Sequence, residues 1–190
     1  MKAIVNVNEE WGIGKDGDML LSIPEDMKFF RNETKGKVVV YGCKTLLSFP
    51  GKKPLKGRIN VVLTTDLSHI PAEALEACDC YFDASSSRNI ENFGREGTTT
   101  LIGCTSVTEA RDILCIFDSD AVYLCGGAAL YKELLPWCDT CLVTKNTCTL
   151  KADRFFPDLD HSSEWECISE GEPKEFGEIS YRFTVYQRKE

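Results

Sequence analysis

The chain has 190 residues, of which 43% are hydrophobic and 10% are aromatic, a composition typical of one soluble globular domain with a hydrophobic core. Its formal net charge of −8 at pH 7 argues against non-specific binding to nucleic acid. No apolar run approaches the length of a membrane span, and the start, "MKAIVNVN", has a strand pattern rather than the apolar core of a signal peptide. We therefore expect a cytoplasmic protein that binds neither nucleic acid nor membrane.

Eight segments are predicted as strands: 2–7, 37–42, 58–64, 99–103, 121–126, 140–146, 164–170 and 181–189. Helices are predicted at 24–34, near 43–48, near 72–77, at 106–117 and at 128–134. This alternation favours an α/β fold, and the continuous apolar runs of the first, second, third and fifth strands favour a parallel sheet buried on both faces. The last three strands follow one another without a helix, so we expect an antiparallel edge.

The glycine-rich stretch "GIGKDG", residues 12–17, directly follows the first strand and matches the pattern G-x-G-x-x-G. In a dinucleotide-binding fold this pattern must open a helix whose N-terminus meets the pyrophosphate. Here "DMLLSI" follows instead, the next helix begins only near Pro24, and the acidic residue expected after the second strand is missing. The stretch is therefore interpreted as a flexible loop crossing an active site, or as a plain surface turn.

The first predicted helix places a carboxylate among apolar residues. Pro24 suits a first helical turn, and Ser22 with Glu25 has the form of a capping box. Asp26 would share one side of the helix with the phenylalanines that follow three and four residues later. Two interpretations fit this pattern. Asp26 is either a solvated acid favoured by the helix dipole, or a carboxylate that lines an apolar pocket and holds a polar ligand.

Three strand ends carry residues suited to binding phosphate. In "YLCGGAALYKELL", 123–135, a buried strand runs into Gly126 and Gly127, and the following helix would aim free N–H groups at an anion. "YGCKTLL", 41–47, is a second strand–glycine–helix junction, and "LTTD", 63–66, places two hydroxyls at a third strand end. Each alone is compatible with a structural turn. At the carboxyl ends of neighbouring strands, the three together predict a nucleotide site.

The ten cysteines are expected to be reduced, because the chain shows no secretory signal. Cys138 and Cys141 form a C-x-x-C pair, but a second pair is missing and both histidines lie in polar stretches, so no metal site is predicted. Both cysteines are predicted to lie on a strand, where residues three apart point to opposite faces, which also argues against a redox dithiol. Most of the thiols are predicted to be small core residues.

Six segments, in the order and with the spacing found here, carry a resemblance to a known family: "IVNVNEEWGIGKDGDM", "IPEDMKFF", "GKVVVYGCKTLLSFPGKKPLKGRINVVLT", "CGGAALYKELLP", "LVTK" and "ADRFFP". The chain resembles the dihydrofolate reductase family, of the bacterial type, over nearly its whole length. The resemblance implies a single domain, 1–190, with a mixed, mostly parallel eight-stranded sheet, about four flanking helices and an antiparallel C-terminal edge. It also implies NADPH-dependent reduction of 7,8-dihydrofolate to tetrahydrofolate, by a monomer that antifolates could inhibit.

By this resemblance, Asp26 is the sole carboxylate of the pterin pocket and accepts hydrogen bonds from the pterin 2-amino group and a ring N–H. Thr144 would support Asp26 through its hydroxyl and a water, and Leu21 completes the catalytic group. Arg58 would pair with the α-carboxylate of the glutamate tail. The substrate-binding residues implied are Val5, Asp26, Phe29, Phe30, Phe49, Leu55, Arg58, Cys125 and Thr144.

The resemblance also implies that NADPH binds at the three strand ends, without a metal. The loop 12–21 would close over the nicotinamide, with Met19 at its centre, and Asp153 would steady that loop. Hydride would pass from nicotinamide C4 to pterin C6 while water protonates N5, and burial would raise the pKa of Asp26. The cofactor-binding residues implied are Asn6, Ile13, Gly14, Met19, Gly42, Cys43, Lys44, Thr45, Leu63, Thr64, Thr65, Cys125, Gly126, Gly127, Ala128, Ala129, Leu130 and Tyr131.

Several positions depart from the family pattern. The loop reads "MLLS" where the family usually has Leu-Pro-Trp, so Leu21 and its neighbour supply no indole to hold a water. Asn6 replaces a small apolar residue beneath the ring, and Ala128 replaces a third glycine. Cys43 stands where an arginine commonly contacts the cofactor phosphates, which leaves Lys44 as the nearby cation and weakens the preference for NADPH over NADH.

Three functions stay open. The chain is a dihydrofolate reductase, a reductase of the same fold acting on another pterin or a pyrimidine, or a nucleotide-binding protein with little catalysis. Arg58 favours the first, because a substrate without a glutamate tail would not need it, whereas Asn6, Leu21 and Cys43 favour the third. Turnover with dihydrofolate, and thermal shifts with NADPH and NADH, would discriminate among them.

Overall fold

The structure, a computed structural model, describes residues 1–86 and 97–189. It divides into two compact units, one formed by Met1–Asn32 with Ala128–Glu190 and the other by Glu33–Gly127. The first unit therefore takes sequence from both ends of the chain, and the second is a continuous segment between them. Each unit has its own run of strands and is described in turn.

The elements follow the predicted alternation of strands and helices. The strands are β1 (Lys2–Val7), β2 (Gly12–Lys15), β3 (Asp18–Met19), β4 (Val38–Gly42), β5 (Ile59–Leu63), β6 (Cys80–Asp83), β7 (Thr100–Cys104), β8 (Val122–Gly126), β9 (Thr140–Asn146), β10 (Arg154–Phe155), β11 (Trp165–Glu170), β12 (Lys174–Phe176) and β13 (Ile179–Arg188). The helices are α1 (Pro24–Thr34), α2 (Cys43–Ser48), α3 (Ala72–Ala77), α4 (Val107–Leu114) and α5 (Ala128–Leu134). Every predicted strand and helix is present, whereas β2, β3, β6, β10 and β12 were not predicted.

In the first unit the strand order is β11–β13–β9–β1, with β12 on β13. β1 runs parallel to β9, while β13 is antiparallel to β9, β11 and β12. The predicted antiparallel C-terminal edge is thus confirmed. In β11 only Trp165 is buried, as expected for an edge strand with water on most of its surface. Trp11 packs in the interior of this unit. Its ring stacks on Phe156 with centroids 6.2 Å apart and meets Tyr186 edge-on with centroids 6.0 Å apart.

In the second unit the strand order is β8–β4–β5–β7–β6, and every neighbouring pair is parallel. The apolar runs seen in the sequence fill its interior, since Val39, Val40 and Tyr41 on β4 have no exposed surface. Strands buried on both faces need such continuous runs. The α/β class and the mostly parallel sheet are therefore confirmed. Because the strands are parallel, their carboxyl ends all lie along one edge of this sheet.

Residues 12–19 form a hairpin, β2–β3, where the glycines of 12–17 were interpreted as a flexible loop or a plain surface turn. β2 pairs with both β3 and β10 in a small antiparallel sheet. Asp16 and Gly17 form its turn with φ of 53° and 93°, and Asp-Gly with positive φ at both positions is a strong hairpin signal. A Cβ on Gly12 would lie 2.5 Å from the Cβ of Ala152, so this glycine is needed for close packing. The interpretation as a dinucleotide-binding helix start is excluded.

The N-terminus of α1 also differs from its prediction. The helix begins at Pro24, and the Met27 N–H donates to the carbonyl of Ile23 at 2.9 Å. The carboxylate of Glu25 does not complete a capping box with Ser22, because it accepts hydrogen bonds from Tyr181 and Lys174 on β13 and β12. Glu25 therefore binds residues distant in sequence instead of the backbone of Ser22. Among the helices within 1–86 and 97–189, none has the length and apolarity needed to cross a membrane.

The prediction that Cys138 and Cys141 share a strand was wrong. Cys138 ends a single 3-10 turn and lies before β9, whereas Cys141 lies within β9. The argument that the two side chains point to opposite faces of one strand therefore does not apply. Both are nevertheless free and buried, and burial raises both pKa values, that of Cys138 to about 12. Such thiols are poor nucleophiles and metal ligands because the thiolate is the reactive form.

Candidate active site

The carboxylate of Asp26 is the best-defined polar centre of the first unit. Asp26 lies in the first turn of α1 and is only 8% exposed. Its Oδ1 accepts a hydrogen bond from the Thr144 hydroxyl at 2.6 Å, and its Oδ2 accepts one from Nδ2 of Asn6 at 2.9 Å. Of the two interpretations of Asp26, the solvated acid is therefore excluded.

The register of the parallel pair β1–β9 explains why both donors reach one carboxylate. Asn6 lies directly beside Thr144 in that register, so the two side chains project from neighbouring strands on the same face. The sequence predicted the Thr144 contact as a hydroxyl acting together with a water, and the structure shows a direct hydrogen bond. Contact between the Asn6 side chain and Asp26 was not predicted at all.

The environment of Asp26 has opposing effects on its pKa. Burial raises the pKa because it disfavours the charged form, while hydrogen bonds from Thr144 and Asn6 lower it, and the net shift is upward. An ionised carboxylate has about four acceptor positions. Two are used by the protein, so each oxygen can accept one further hydrogen bond from a ligand.

Asn146 extends this polar cluster away from the carboxylate. Its Nδ2 donates to Oδ1 of Asn6 at 2.7 Å and to the carbonyl of Val7 at 2.9 Å. Its Oδ1 accepts from the backbone N–H of Cys148 at 2.8 Å. Sequence reasoning missed Asn146. A signal was available, because Asn146 lies two residues after Thr144 on the same strand and so shares its face.

The side of α1 that carries Phe29 and Phe30 is half-buried. Phe29 packs against Phe183 on β13, with ring centroids 4.8 Å apart. Phe30 is likewise neither fully buried nor fully exposed. On the opposite side, Lys28 and Asn32 are exposed. The helix therefore has the two-sided character expected of it, with Asp26 on the apolar side.

In the second unit, the three predicted phosphate-binding strand ends are brought together. β4 lies between β8 and β5, with Tyr41 opposite Gly126 and Gly42 opposite Leu63. The peptide bond between Gly126 and Gly127 is cis. A Cβ on Gly127 would lie 3.3 Å from Oγ1 of Thr45, so the first and second junctions are in close contact.

The third junction is built around Thr64. Its hydroxyl donates to the carbonyl of Asp66 at 2.8 Å and lies 3.4 Å from Nδ1 of His69. The neighbouring Cys43 is buried, and its thiol donates to the carbonyl of His69 at 3.3 Å. Cys43 is therefore used in packing, while Lys44 and Thr65 are exposed.

A buried asparagine organises the segment that carries Leu55 and Arg58. The Asn60 amide accepts from the Tyr41 hydroxyl and the Leu55 N–H, and it donates to the carbonyls of Leu55, Arg58 and Thr100. Arg58 is itself buried, and its Nε donates to the carbonyl of Thr34 at 3.1 Å. Asn60 was not predicted as a site residue, although an asparagine inside a continuous apolar strand required a buried partner.

Phe49 also lies in this part of the second unit. Its ring meets Tyr41 edge-on at 5.0 Å. Because Tyr41 in turn donates to Asn60, the predicted substrate-binding residues Phe49, Leu55 and Arg58 are all linked to one buried polar cluster. Their binding roles remain predictions.

The other predicted site residues differ in their exposure. Val5, Leu130 and Tyr131 are buried, and the Tyr131 hydroxyl donates to the carbonyl of Ile4 at 2.7 Å. Met19 is 52% exposed on the hairpin, and Asp153 accepts from the Asp16 N–H at 3.1 Å, which matches its predicted contact with this segment. Those of intermediate burial are Ile13, Leu21, Leu63, Cys125 and Ala128, while Gly14 is buried and Ala129 is exposed.

Comparison with known proteins gives a consistent result. A sequence model of the family described as dihydrofolate reductase matches residues 1–110 and 87–188. A dihydrofolate reductase of Bacillus subtilis (strain 168) is 30% identical over 180 residues, covering 93% of this chain and 88% of the relative. One of Sus scrofa is 29% identical over 204 residues, covering 99% of this chain and 97% of the relative.

Longer relatives also match. A bifunctional dihydrofolate reductase-thymidylate synthase of Glycine max is 29% identical over 201 residues, covering 98% of this chain and 33% of the relative. The chain thus spans about a third of the length of the bifunctional relatives it matches. With a matching family model, near full-length relatives, the α/β architecture and the buried acid of α1, the chain belongs to the dihydrofolate reductase family of oxidoreductases.

Proposed function

We propose that the chain reduces 7,8-dihydrofolate to 5,6,7,8-tetrahydrofolate with NADPH. The observation that carries the proposal is the buried carboxylate of Asp26, which is held by Thr144 and Asn6 and keeps acceptor capacity on both oxygens. A pterin presents a 2-amino group and an adjacent ring N–H side by side. Two parallel hydrogen bonds to one carboxylate match that pair of donors.

Arg58 supports folate over a pterin without a glutamate tail. A guanidinium binds a carboxylate through two parallel hydrogen bonds. The Asn60 cluster holds the backbone of Arg58, and Thr34 holds its Nε, so the side chain is pre-organised. Phe29, Phe30, Phe49 and Leu55 would provide apolar contacts to the pteridine and aminobenzoyl parts, as the resemblance implies.

The strand ends of the second unit fit a dinucleotide. Gly127 leaves no side chain between the backbone and the Thr45 hydroxyl, so N–H and O–H donors are open to a pyrophosphate. Lys44 is exposed beside them and would add positive charge, and Thr64 and Thr65 would meet the adenosine ribose phosphate. When bound, NADPH supplies the hydride that reaches pterin C6.

The protein's part in the reaction is orientation, polarisation and exclusion of water. Asp26 would fix the pterin ring and polarise it, since an anion beside the 2-amino group favours positive charge on the ring. N5 would take its proton from water, because Asp26 binds the opposite side of the ring. The hairpin carrying Met19 would cover the reacting atoms, steadied by the bond from Asp16 to Asp153.

We further propose that residues 1–190 act as one domain and as a monomer in the cytoplasm. Antifolates that place an amino group against Asp26 would compete with dihydrofolate. The single domain, the monomer and the cytoplasmic location rest on the family resemblance, and the competition by antifolates rests on the site around Asp26.

The first test is oxidation of NADPH on adding dihydrofolate. Asp26→Asn should lower kcat/KM at least about a hundredfold, because a neutral amide neither orients nor polarises the pterin as an anion does. Glu25→Gln is the matched control, since Glu25 is the neighbouring acid on the exposed side of the same helix, and it should keep wild-type turnover. A wild type that binds NADPH without turning over dihydrofolate would exclude the proposed activity.

A further inference from the structure

We propose that Asn6 and Asn146 form a positioning chain that fixes the carboxylate of Asp26 in the orientation needed for the pterin. This inference rests on the proposed function and adds two residues to it. Neither amide is required to touch the reacting atoms. Their contribution is to hold the group that binds the ring.

The direction of every hydrogen bond in the chain is set by backbone groups that cannot reverse. The Cys148 N–H can only donate, so the Asn146 atom 2.8 Å from it is the acceptor Oδ1. Nδ2 of Asn146 then faces the Val7 carbonyl, which can only accept, and Oδ1 of Asn6. Nδ2 of Asn6 is thereby directed to Oδ2 of Asp26. The usual ambiguity in the orientation of an asparagine amide is removed at both positions.

The fixed direction has a chemical consequence for Asp26. The Asn6 amide group can donate to a carboxylate but cannot accept from a protonated acid, whereas the Thr144 hydroxyl can do either. The hydrogen bond from Nδ2 of Asn6 is stronger to an anionic carboxylate oxygen than to the carbonyl oxygen of a protonated acid. The chain favours the anion and aligns its plane, so the two remaining acceptor positions have defined directions.

Burial strengthens the effect of these hydrogen bonds on Asp26. Asn146 and Thr144 are 4% and 2% exposed, so water does not compete well for their hydrogen bonds. Charged side chains on the strands that contact α1 are paired with other groups: Lys145 of β9 with Asp160, Lys174 of β12 with Glu25, and Arg182 of β13 with Glu170. Glu25 also accepts a hydrogen bond from Tyr181. The Asn6 amide is thus the donor that opposes the effect of burial on Oδ2.

The test is the titration of Asp26 in the free protein, followed by NMR of ¹³C-labelled aspartate and assigned with Asp26→Asn. Asn6→Ala and Asn146→Ala should each move the titration of Asp26 to higher pH, because each removes a donor or the group that directs it. The double variant should titrate where Asn6→Ala does, since Asn146 acts through Asn6. Asn32→Ala, an exposed asparagine on the same helix, should leave the titration unchanged.

The proposed positioning role would be overturned if Asp26 titrated at the same pH in Asn6→Ala as in the wild type. It would also be overturned if the shifts of the two single variants added up in the double variant. Should Asn6→Ala fail to fold, Asn6→Val makes the same test with a residue that suits a strand and offers no donor. The measurement needs neither folate nor nucleotide. If the wild type does not turn over dihydrofolate, only the proposed function is overturned. If the enzyme is active but Asn6→Ala leaves the titration of Asp26 unchanged, only the positioning role of Asn6 and Asn146 is overturned.

Discussion

The protonation of Asp26 links the proposed site to the stability of the fold. Burial raises its pKa above the ordinary value of 3.8, against the hydrogen bonds from Thr144 and Asn6. The folded state therefore binds this proton more tightly than the unfolded state does. The resulting contribution to the free energy of unfolding is fully present below the unfolded-state pKa and is lost as the pH rises through the folded-state pKa.

The difference in unfolding free energy between wild type and Asp26→Asn should accordingly be largest at low pH and fall as the pH rises from about 4. Urea unfolding at a series of pH values measures it. The same comparison for Asp66→Asn should show the opposite trend, because hydrogen bonds from Ser68 lower the pKa of Asp66. A difference that rises with pH for Asp26 would show that its folded-state pKa is lowered.

At the scale of residues, the sequence predicted that Thr144 supports Asp26, and the two side chains are in contact. Asp26 and Thr144 lie in short segments with a characteristic form, and the structure joins them. Asn6 was predicted to bind the cofactor and noted as a departure from the family pattern, but its contact with Asp26 was missed, and its partner Asn146 is 140 positions away. A hydrogen bond between distant strands depends on their register, which single residues do not reveal.

At the scale of elements, the hairpin β2–β3 depends on two kinds of glycine. Gly17 adopts a φ of 93° that other residues avoid, whereas Gly12 is needed because neighbouring atoms lie where a side chain would be. The pattern G-x-G-x-x-G thus arises here from a turn and from close packing. Spacing alone could not separate these causes from phosphate binding.

Gly12→Ala should lower the free energy of unfolding by about 1–3 kcal/mol, the usual cost of overpacking. The added Cβ would meet Ala152 at 2.5 Å and Oδ1 of Asn8 at 2.9 Å. Gly42→Ala is the control, because Gly42 has an ordinary φ of −78° and nothing within 4 Å of an added Cβ. Chemical denaturation compares them, and equal stabilities would show that the hairpin adjusts freely.

The segment between α2 and β5 contains one 3-10 turn, Pro50–Lys52, and the side chain of Asn60 binds the segment at Leu55. Asn60→Ala removes five hydrogen bonds and leaves several buried groups unpaired, so it should destabilise the fold by about 3–5 kcal/mol. Asn32→Ala, at an exposed position, should change stability by less than about 0.5 kcal/mol. Denaturation in urea measures both, and a small effect of Asn60→Ala would mean that water replaces the amide.

At the scale of the whole molecule, the sequence predicted the architecture well. The continuous apolar runs of β4, β5 and β8 favour a sheet covered on both faces, and in the second unit these strands form a parallel sheet with a buried interior. The run of β1 is largely buried within the first unit. β6 escaped prediction because its four residues, Cys80–Asp83, include no run of buried positions. Short strands such as β10 and β12 form only because a longer strand offers them an edge.

The ten cysteines test the burial pattern of the whole chain. Iodoacetamide should modify Cys115 and Cys167 first, since both are exposed. Cys104 and Cys138 should react only on unfolding, because burial raises the pKa of each to about 12 and so suppresses the thiolate. Mass spectrometry of peptides gives the order. The same reaction in denaturant should modify all ten, and early modification of Cys104 or Cys138 would contradict the packing described.

The division of the chain has a consequence for its synthesis. Because translation proceeds from the N-terminus, every strand of the segment Glu33–Gly127 leaves the ribosome before β9 exists. That segment can complete its parallel sheet while β1 still lacks its neighbour β9. Asp26 is therefore made before the threonine that holds it, since Thr144 is added 118 positions later. A nascent chain halted after Gly127 would carry the acid of the proposed site but not the threonine that holds it.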